Sequence, residues 1–157
     1  MRMLLQRVSS ASVTVDGRVT GAIEHGLVLF LGIGREDTEE HGAYLLDKLL
    51  NLRIFEDGAG KMNRTLQEIA GGLLIVSQFT LYANVSRGRR PSFDQAASPE
   101  DAHKLYDYFV DLAKTKMANV HTGVFQANMT VTVANDGPVS IFYDTVDKFM
   151  NKSHSLK

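Results

Sequence analysis

Two short stretches and one cationic cluster hold the residues best suited to chemistry. Ser77-Gln78-Phe79-Thr80-Leu81 brings two hydroxyls and an amide to the end of an apolar run, and Asn135-Asp136-Gly137-Pro138-Val139 sets a Gly-Pro pair between two β-branched segments. Arg87-Gly88-Arg89-Arg90-Pro91 is the one dense cationic patch. Ser77 and Thr80 are candidate nucleophiles, yet neither sits in a GxSxG turn and no histidine is placed beside them by sequence. Satisfying backbone groups at a strand end would explain both hydroxyls. The arginines read either as solvated loop residues or as phosphate ligands, since a guanidinium fork matches phosphate oxygens. Tyr82 and Phe93, which bracket them, either stack on a base or pack against the core. An Xaa-Pro bond is cis in only about 5–6% of cases, so an ordinary trans turn at Gly137-Pro138 is the expectation from physics alone. A cis turn would point two successive carbonyls the same way, making a rigid acceptor for an ammonium group.

Other chemistries find little support. Gly32-Ile33-Gly34 follows an apolar run, but the third glycine of GxGxxG would fall on Asp37 and no βαβ unit of the right order follows. There is no GxxxxGK[ST] phosphate loop. His25, His41, His103, His121 and His154 are scattered without HxxxH or HxxE spacing, so no metal or other cofactor is expected. Cysteine is absent, which excludes disulfides, thiolate nucleophiles and Cys-ligated metals. With 17 Lys+Arg against 18 Asp+Glu the net charge is -1, so any nucleic-acid contact must be local rather than a general field. These features, with no apolar run long enough for a membrane span, predict a soluble cytoplasmic protein.

The elements that must position these residues follow from pattern. In 157 residues, 44% hydrophobic, one domain is expected over residues 1–150, with a frayed polar tail at 151–157. Asp16-Gly17 between Val13-Thr14-Val15 and Arg18-Val19-Thr20 predicts a two-residue hairpin. Continuous apolar runs at 26–32 and 73–79 predict strands buried on both faces. Asp37, with Glu40 three residues on, predicts the cap of a helix that buries Leu45, Leu46, Leu49 and Leu50 and ends near Asn51. Residues 52–72 read as irregular, with a short helical piece near 66–69, and residues 84–98 as a basic loop. Ser98-Pro99-Glu100-Asp101 opens a second helix with Ala102, Leu105, Phe109, Leu112 and Ala113 on one face, running to about Met117. Strands are expected at 120–125, 129–134 and 139–143, the last two joined by the Gly-Pro turn. The sum is an α/β (α+β) single domain, a mixed and largely antiparallel sheet or barrel with two main helices.

Taken together, the Ser77-Gln78-Phe79-Thr80-Leu81 and Asn135-Asp136-Gly137-Pro138-Val139 stretches resemble the two signature motifs of D-aminoacyl-tRNA deacylases. Gln6-Arg7-Val8, Asn51-Leu52-Arg53-Ile54-Phe55, Gly60-Lys61-Met62-Asn63, Gly88-Arg89-Arg90-Pro91-Ser92-Phe93 and Thr122-Gly123-Val124-Phe125 extend the resemblance in family order. It implies a cytoplasmic homodimer that hydrolyses the ester joining a D-amino acid, or glycine mischarged on tRNA(Ala), to the tRNA 3′ end, without cofactor, DNA or membrane. It further implies that Ser77, Gln78, Phe79 and Thr80 line the catalytic pocket, with the Phe79 and Thr80 amides facing the oxyanion. Gly137-Pro138 would be a Gly-cisPro element inserted into the other subunit's pocket, where it rejects L-amino acids. Phe125 and Met129 match positions near the adenine or pocket wall, Arg7 one that braces the turn, and Arg87, Arg89 and Arg90 would contact tRNA phosphates. Ser140 stands where the family usually has threonine; the hydroxyl is kept, so the turn is expected to survive. The resemblance favours catalysis assisted by the ribose 2′-OH over Thr80 as covalent nucleophile. The alternatives are a non-catalytic tRNA-binding module and a general esterase.

Overall fold

A strand that is apolar at every position needs cover on both sides, and the two such strands organise the fold. The computed structural model describes residues 1–86 and 88–149; Arg87 and the predicted tail at 151–157 lie outside the described residues. In chain order the elements are β1 (Arg2–Val15), β2 (Arg18–Ile23), β3 (Gly26–Gly32), α1 (Glu39–Asn51), β4 (Phe55–Glu56), β5 (Met62–Arg64), β6 (Gly72–Ser77), a 3-10 turn (Phe79–Tyr82), α2 (Pro99–Lys116), β7 (Val120–Thr122), β8 (Thr130–Asp144) and α3 (Val146–Phe149). The main sheet runs β2-β1-β3-β6-β7, with β8 on the other edge of β1, while β4 and β5 form a small separate hairpin. The β3–β6 and β6–β7 pairs are parallel and the rest antiparallel. The sheet rolls into a nearly closed barrel: a Cβ on Gly21 of β2 would lie 2.5 Å from the Thr122 carbonyl oxygen of β7.

Alternation along β3 and β6 divides the interior into two cores. Leu27, Leu29, Leu31, Leu73 and Ile75 face α1 and α2, where Leu45, Leu46, Leu49, Phe109 and Ala113 meet them. Val28, Leu74 and Val76 point the other way, into the rolled sheet, against Val8, Ala11, Val13 and Ile23. β1 serves both. Met3 and Leu5 lie under the helices, whereas Ala11 and Val13 lie inside the roll. Strict alternation would keep these odd positions on one face. The register slips between Val8 and Ser10, which pair with Asn135 and Ala134 of β8. That extra residue is a β-bulge, and it flips the inward parity.

Several sequence expectations are met and several corrected. The hairpin sits on Asp16 (φ 48°) and Gly17 (φ 76°), both left-handed as the tight turn demands. Ser98 caps α2 by accepting from the Asp101 N–H at 3.2 Å. The buried stripe of α2 is centred on Tyr106, Phe109, Val110 and Ala113, with Ala102, Leu105 and Leu112 on its margins, because the Tyr106 hydroxyl reaches down to the Ile75 carbonyl at 2.9 Å. α1 is capped by Thr38, whose N–H donates to Nδ1 of His41 at 3.2 Å, rather than by Asp37 and Glu40. Asp37 instead accepts from the Gly34 N–H at 2.6 Å and the Tyr82 hydroxyl at 3.1 Å. The apolar run at 73–79 leaves the sheet at Ser77 and turns into the 3-10 turn, which sets Phe79 outward at 56% exposure. The 52–72 segment holds the β4–β5 hairpin, and the expected strand at 120–125 stops at Thr122. The two strands expected on either side of the Gly-Pro turn are one continuous β8 along β1. No helix among the described residues is long and apolar enough to cross a membrane.

Gly26 and Gly72 let β3 and β6 start in contact: a Cβ on Gly26 would lie 2.0 Å from the Gly72 carbonyl oxygen. The Gly26→Ala variant is expected to lose about 3 kcal/mol of stability in urea unfolding. Gly58→Ala, whose Cβ would meet nothing within 4 Å, should stay within about 0.5 kcal/mol of wild type.

Candidate active site

A cleft of about 610 Å³ opens where β6 ends, between the 3-10 turn, the start of α2 and the segment that leads into β8. Ser77, Gln78 and Phe79 form one wall, Phe125, Met129 and Val131 the opposite one, and Phe93, Ala97 and Ala102 the side towards α2. Among the described residues its lining contains no Asp, Glu, His, Lys, Arg, Tyr or Cys. The only described side chains there able to hydrogen-bond strongly are Ser77, Gln78 and Gln126, all of which are neutral.

Each wall has a local cause. Phe79 and Thr80 open the 3-10 turn, and the first amides of a helix have no acceptor within it. Neither N–H donates to an acceptor among the described residues, while the Gln78 N–H is used on the Leu31 carbonyl at 2.8 Å and the Leu81 N–H on the Gln78 carbonyl at 3.2 Å. Thr80 lies just outside the cleft, exposed, its hydroxyl accepting a short hydrogen bond from Nε2 of Gln78. Phe79 packs edge-on against Phe93, ring centroids 4.9 Å apart. On the facing wall Phe125 lies flat on His103, 4.4 Å away at 3°, with Tyr106 at 5.5 Å behind it. Met129 is held by the turn before it: its sulfur accepts from the Val124 N–H at 3.4 Å, and Gly123 leaves the space, since a Cβ there would lie 2.6 Å from that sulfur. The Tyr106 hydroxyl joins α2 to β6, so the two sides of the cleft keep their spacing. Burial drives that phenol well above its ordinary pKa, which keeps it a neutral donor.

The second motif stands elsewhere. The register of β8 jumps from Asn135, opposite Val8, to Ser140, opposite Gln6, so that residues 136–139 project from the strand as a loop. Within it the Gly137–Pro138 peptide bond is cis, against the trans turn expected from physics alone, and Gly137 has φ 117°. Arg7, buried, donates from Nε to the Asp136 carbonyl at 3.2 Å and from Nη1 to the Ile54 carbonyl at 2.6 Å, and Nε lies 3.3 Å from the Asp136 carboxylate. Neither Arg7, Gly137 nor Pro138 lines the cleft. Val131 does, and Asn135, where the loop leaves the strand, is four residues further along β8, about 13 Å at ~3.3 Å per residue. Arg89 and Arg90 are exposed on the loop after the 3-10 turn and are not part of the lining; Arg87 lies outside the described residues.

Motif reading found Ser77, Gln78, Phe79, Phe125 and Met129 but not Ala97, Ala102 and Gln126, and it left Phe93 between base stacking and core packing. The available signal was a run of small residues, Ala96 and Ala97 before α2 and Ala102 in its first turns, which leaves space where a larger side chain would fill it. His103 gave no signal at all, because its ring acts through Phe125, 22 residues away in sequence.

Comparison with known proteins places the chain in a family. A family described as D-Tyr-tRNA(Tyr) deacylase matches residues 4–144. The D-aminoacyl-tRNA deacylase of Koribacter versatilis (strain Ellin345) is 53% identical over 149 residues, covering 95% of this chain and 100% of that protein. That of Photobacterium profundum is 54% identical over 142 residues, covering 90% and 98%. Among solved structures, a c-Myc DNA Unwinding Element Binding Protein aligns with a TM-score of 0.88 at 38% identity, covering 92% of this chain and 98% of that one. A probable eukaryotic D-amino acid tRNA deacylase shares the fold at a TM-score of 0.80 and 18% identity, covering 91% and 98%. The signature stretches that form the cleft wall and the projecting loop thus sit in a chain that belongs to the D-Tyr-tRNA(Tyr) deacylase family.

Proposed function

We propose that the protein hydrolyses the ester of D-aminoacyl-tRNA, releasing the D-amino acid and free tRNA, as a homodimer in which each Gly137–Pro138 loop completes the partner's cleft. The observation that carries this reading is a cleft at the first signature motif whose lining, among the described residues, has no titratable side chain. Such a site suits a substrate that brings its own reactivity. An aminoacyl ester is already activated, and the ribose 2′-OH beside it can pass the proton that no described side chain of the lining is placed to take. The protein then contributes position and electrostatics. The Phe79 and Thr80 amides are the oxyanion donors, each of a kind whose removal lowers rates by about 10²- to 10³-fold. Ser77 and Gln78 line the approach, and Phe125 and Met129 face the terminal adenosine. Thr80 suits a covalent nucleophile less well, because its neighbour Gln78 is an amide donor that cannot accept the hydroxyl proton.

Chirality is judged by rejection: the partner's Gly137–Pro138 carbonyls hold the substrate ammonium and leave no room for an L side chain. Glycine has no side chain to reject, so glycyl-tRNA(Ala) is also a substrate. Arg7 braces the loop, while Arg89, Arg90 and Arg87 contact tRNA phosphates beyond the 3′ end. Two features support the second copy. The loop leaves β8 about 13 Å along the strand from Val131 at the cleft, and neither Gly137 nor Pro138 lines that cleft; and an apolar row crosses the sheet from Val76 at the cleft through Phe30 and Leu4 to Phe142, which is 56% exposed.

The first test follows the ester of D-Tyr-tRNA and L-Tyr-tRNA. Only the D form is expected to be cleaved, with no inflection from a protein group in kcat/KM between about pH 6 and 8. Binding without cleavage would leave a tRNA-binding module, and cleavage of simple acyl esters without chiral preference a general esterase. Gly137→Ala puts a Cβ 2.8 Å from Nη2 of Arg7 at a φ of 117°, and should lower D-Tyr-tRNA hydrolysis or the D-to-L ratio at least tenfold; a D rate and a D-to-L ratio both at the wild-type level remove the loop from the mechanism. Phe142→Asp is expected to sediment as a monomer and to lose hydrolysis, and an active monomer would refute the shared site.

A further inference from the structure

The loop that carries Gly137–Pro138 is gripped from both faces of β1, and Arg7 is one of the two grips. The other starts at Asn135. Its Oδ1 accepts the Val139 N–H at 2.9 Å, closing the loop across its base. An N–H needs an acceptor, so this bond fixes which end of the amide is oxygen and turns Nδ2 towards Ser140, whose Oγ it meets at 2.9 Å. Nε2 of Gln6 donates to the same oxygen at 3.0 Å. Gln6 and Arg7 are consecutive on β1 and so project to opposite faces. Ser140 is the first residue after the loop that pairs again with β1, and its partner is Gln6. The hydroxyl is therefore shared between the base of the loop and the strand that carries it.

We infer that Gln6, Ser140 and Asn135 form a second brace that holds the Gly137–Pro138 loop at the reach and angle needed in the partner's cleft, and that Gln6 and Ser140 are positioning residues for chiral discrimination. This role rests on the proposed function. Asn135 ties the exit of the loop to its entry, Ser140 relays that tie to Gln6, and Gln6 anchors it on a strand buried between two cores. Arg7 restrains the Asp136 end and the Gln6–Ser140 contact restrains the Val139 end. With either released, the loop would pivot about the other. A rejecting element that pivots fails in a particular way: it holds the D substrate less well and blocks the L substrate less completely. A weakened fold would lower both rates in proportion instead.

The experiment measures kcat/KM for D-Tyr-tRNA and L-Tyr-tRNA with the intact protein. Absence of D-Tyr-tRNA cleavage by wild type overturns the proposed function and this role with it. Given cleavage, Ser140→Ala and Gln6→Leu are each expected to lower the D rate about tenfold and the D-to-L ratio several-fold. The double variant should be little worse than Ser140→Ala alone, since Ser140→Ala already removes the Gln6–Ser140 contact along with the Asn135–Ser140 one. Ser140→Thr should restore rate and ratio, as it keeps the hydroxyl. A D-to-L ratio unchanged in both single variants, whatever happens to the rates, overturns the inference and leaves the deacylase reading standing. A ratio that falls in Ser140→Ala but is not restored by Ser140→Thr also overturns it, because the hydroxyl would then not be the brace. Gln6→Leu reads the same contact if Ser140→Ala does not fold.

Discussion

Arg7 carries a permanent positive charge at a point where its side chain is only 6% exposed, and a guanidinium so far from water must find acceptors in the protein. It finds them in two segments distant in sequence, the Ile54 carbonyl between α1 and the β4–β5 hairpin and the Asp136 carbonyl in the β8 loop. Arg7 continues the helix-facing series Met3, Leu5 and comes just before the bulge at which β1 changes sides. Leaving such a group unpaired would be strongly destabilising, of the order of 3–5 kcal/mol. The loop therefore cannot swing away without stranding a charge. One interaction links the helix-side core, the bulge and the loop, and the two-core architecture is what places it there.

How much of this was legible in the sequence depended on the range of the interaction concerned. The Asp16-Gly17 turn and the Ser98 cap are decided within four residues, and both were readable. So was the burial of 26–32 and of 73–76, because an uninterrupted apolar run has no stable arrangement except one covered on both faces. The cap of α1 failed because Asp37 had a tertiary use, on Gly34 and Tyr82, that outweighed its local one. The continuity of β8 failed for a related reason. Asn-Asp-Gly-Pro is a strong local turn signal, but the flanking segments both pair with β1, so the turn interrupts one strand where a hairpin was expected. Nothing local distinguishes the two outcomes.

The site divides along the same line. Ser77, Gln78 and Phe79 are adjacent in sequence and end a strand, so their grouping needs no tertiary knowledge. Phe125 and Met129 reach the opposite wall through the Gly123–Met129 and His103–Phe125 contacts, which no periodicity encodes. The absence of a base beside Ser77 and Thr80 looked like a missing piece in the sequence. In the cleft it becomes a property of the whole described lining, neutral and mostly apolar by residue type, to which the proposed mechanism adds backbone amides as oxyanion donors. Backbone amides are fixed by the fold and need no reorganisation as charge develops, which is where preorganised donors gain over mobile side chains.

That choice constrains how specificity can be built. A cleft of neutral groups offers the ammonium of an amino acid no charged partner, and adding a carboxylate would bring a titratable group into the oxyanion's surroundings, where negative charge is unwelcome. Carbonyl oxygens avoid this, since they accept hydrogen bonds without net charge. Carbonyls that converge on one point must come from a loop held away from its own regular pairing, and β8 supplies such a loop only where its register with β1 is broken. The break begins five residues beyond the part of β8 that lines the cleft, and the loop it releases does not line that cleft in the same chain. Under the proposed mechanism, a second copy is thus the direct consequence of a neutral site: the element that recognises the ammonium cannot be built beside the amides that stabilise the oxyanion, so it is delivered to them by the partner.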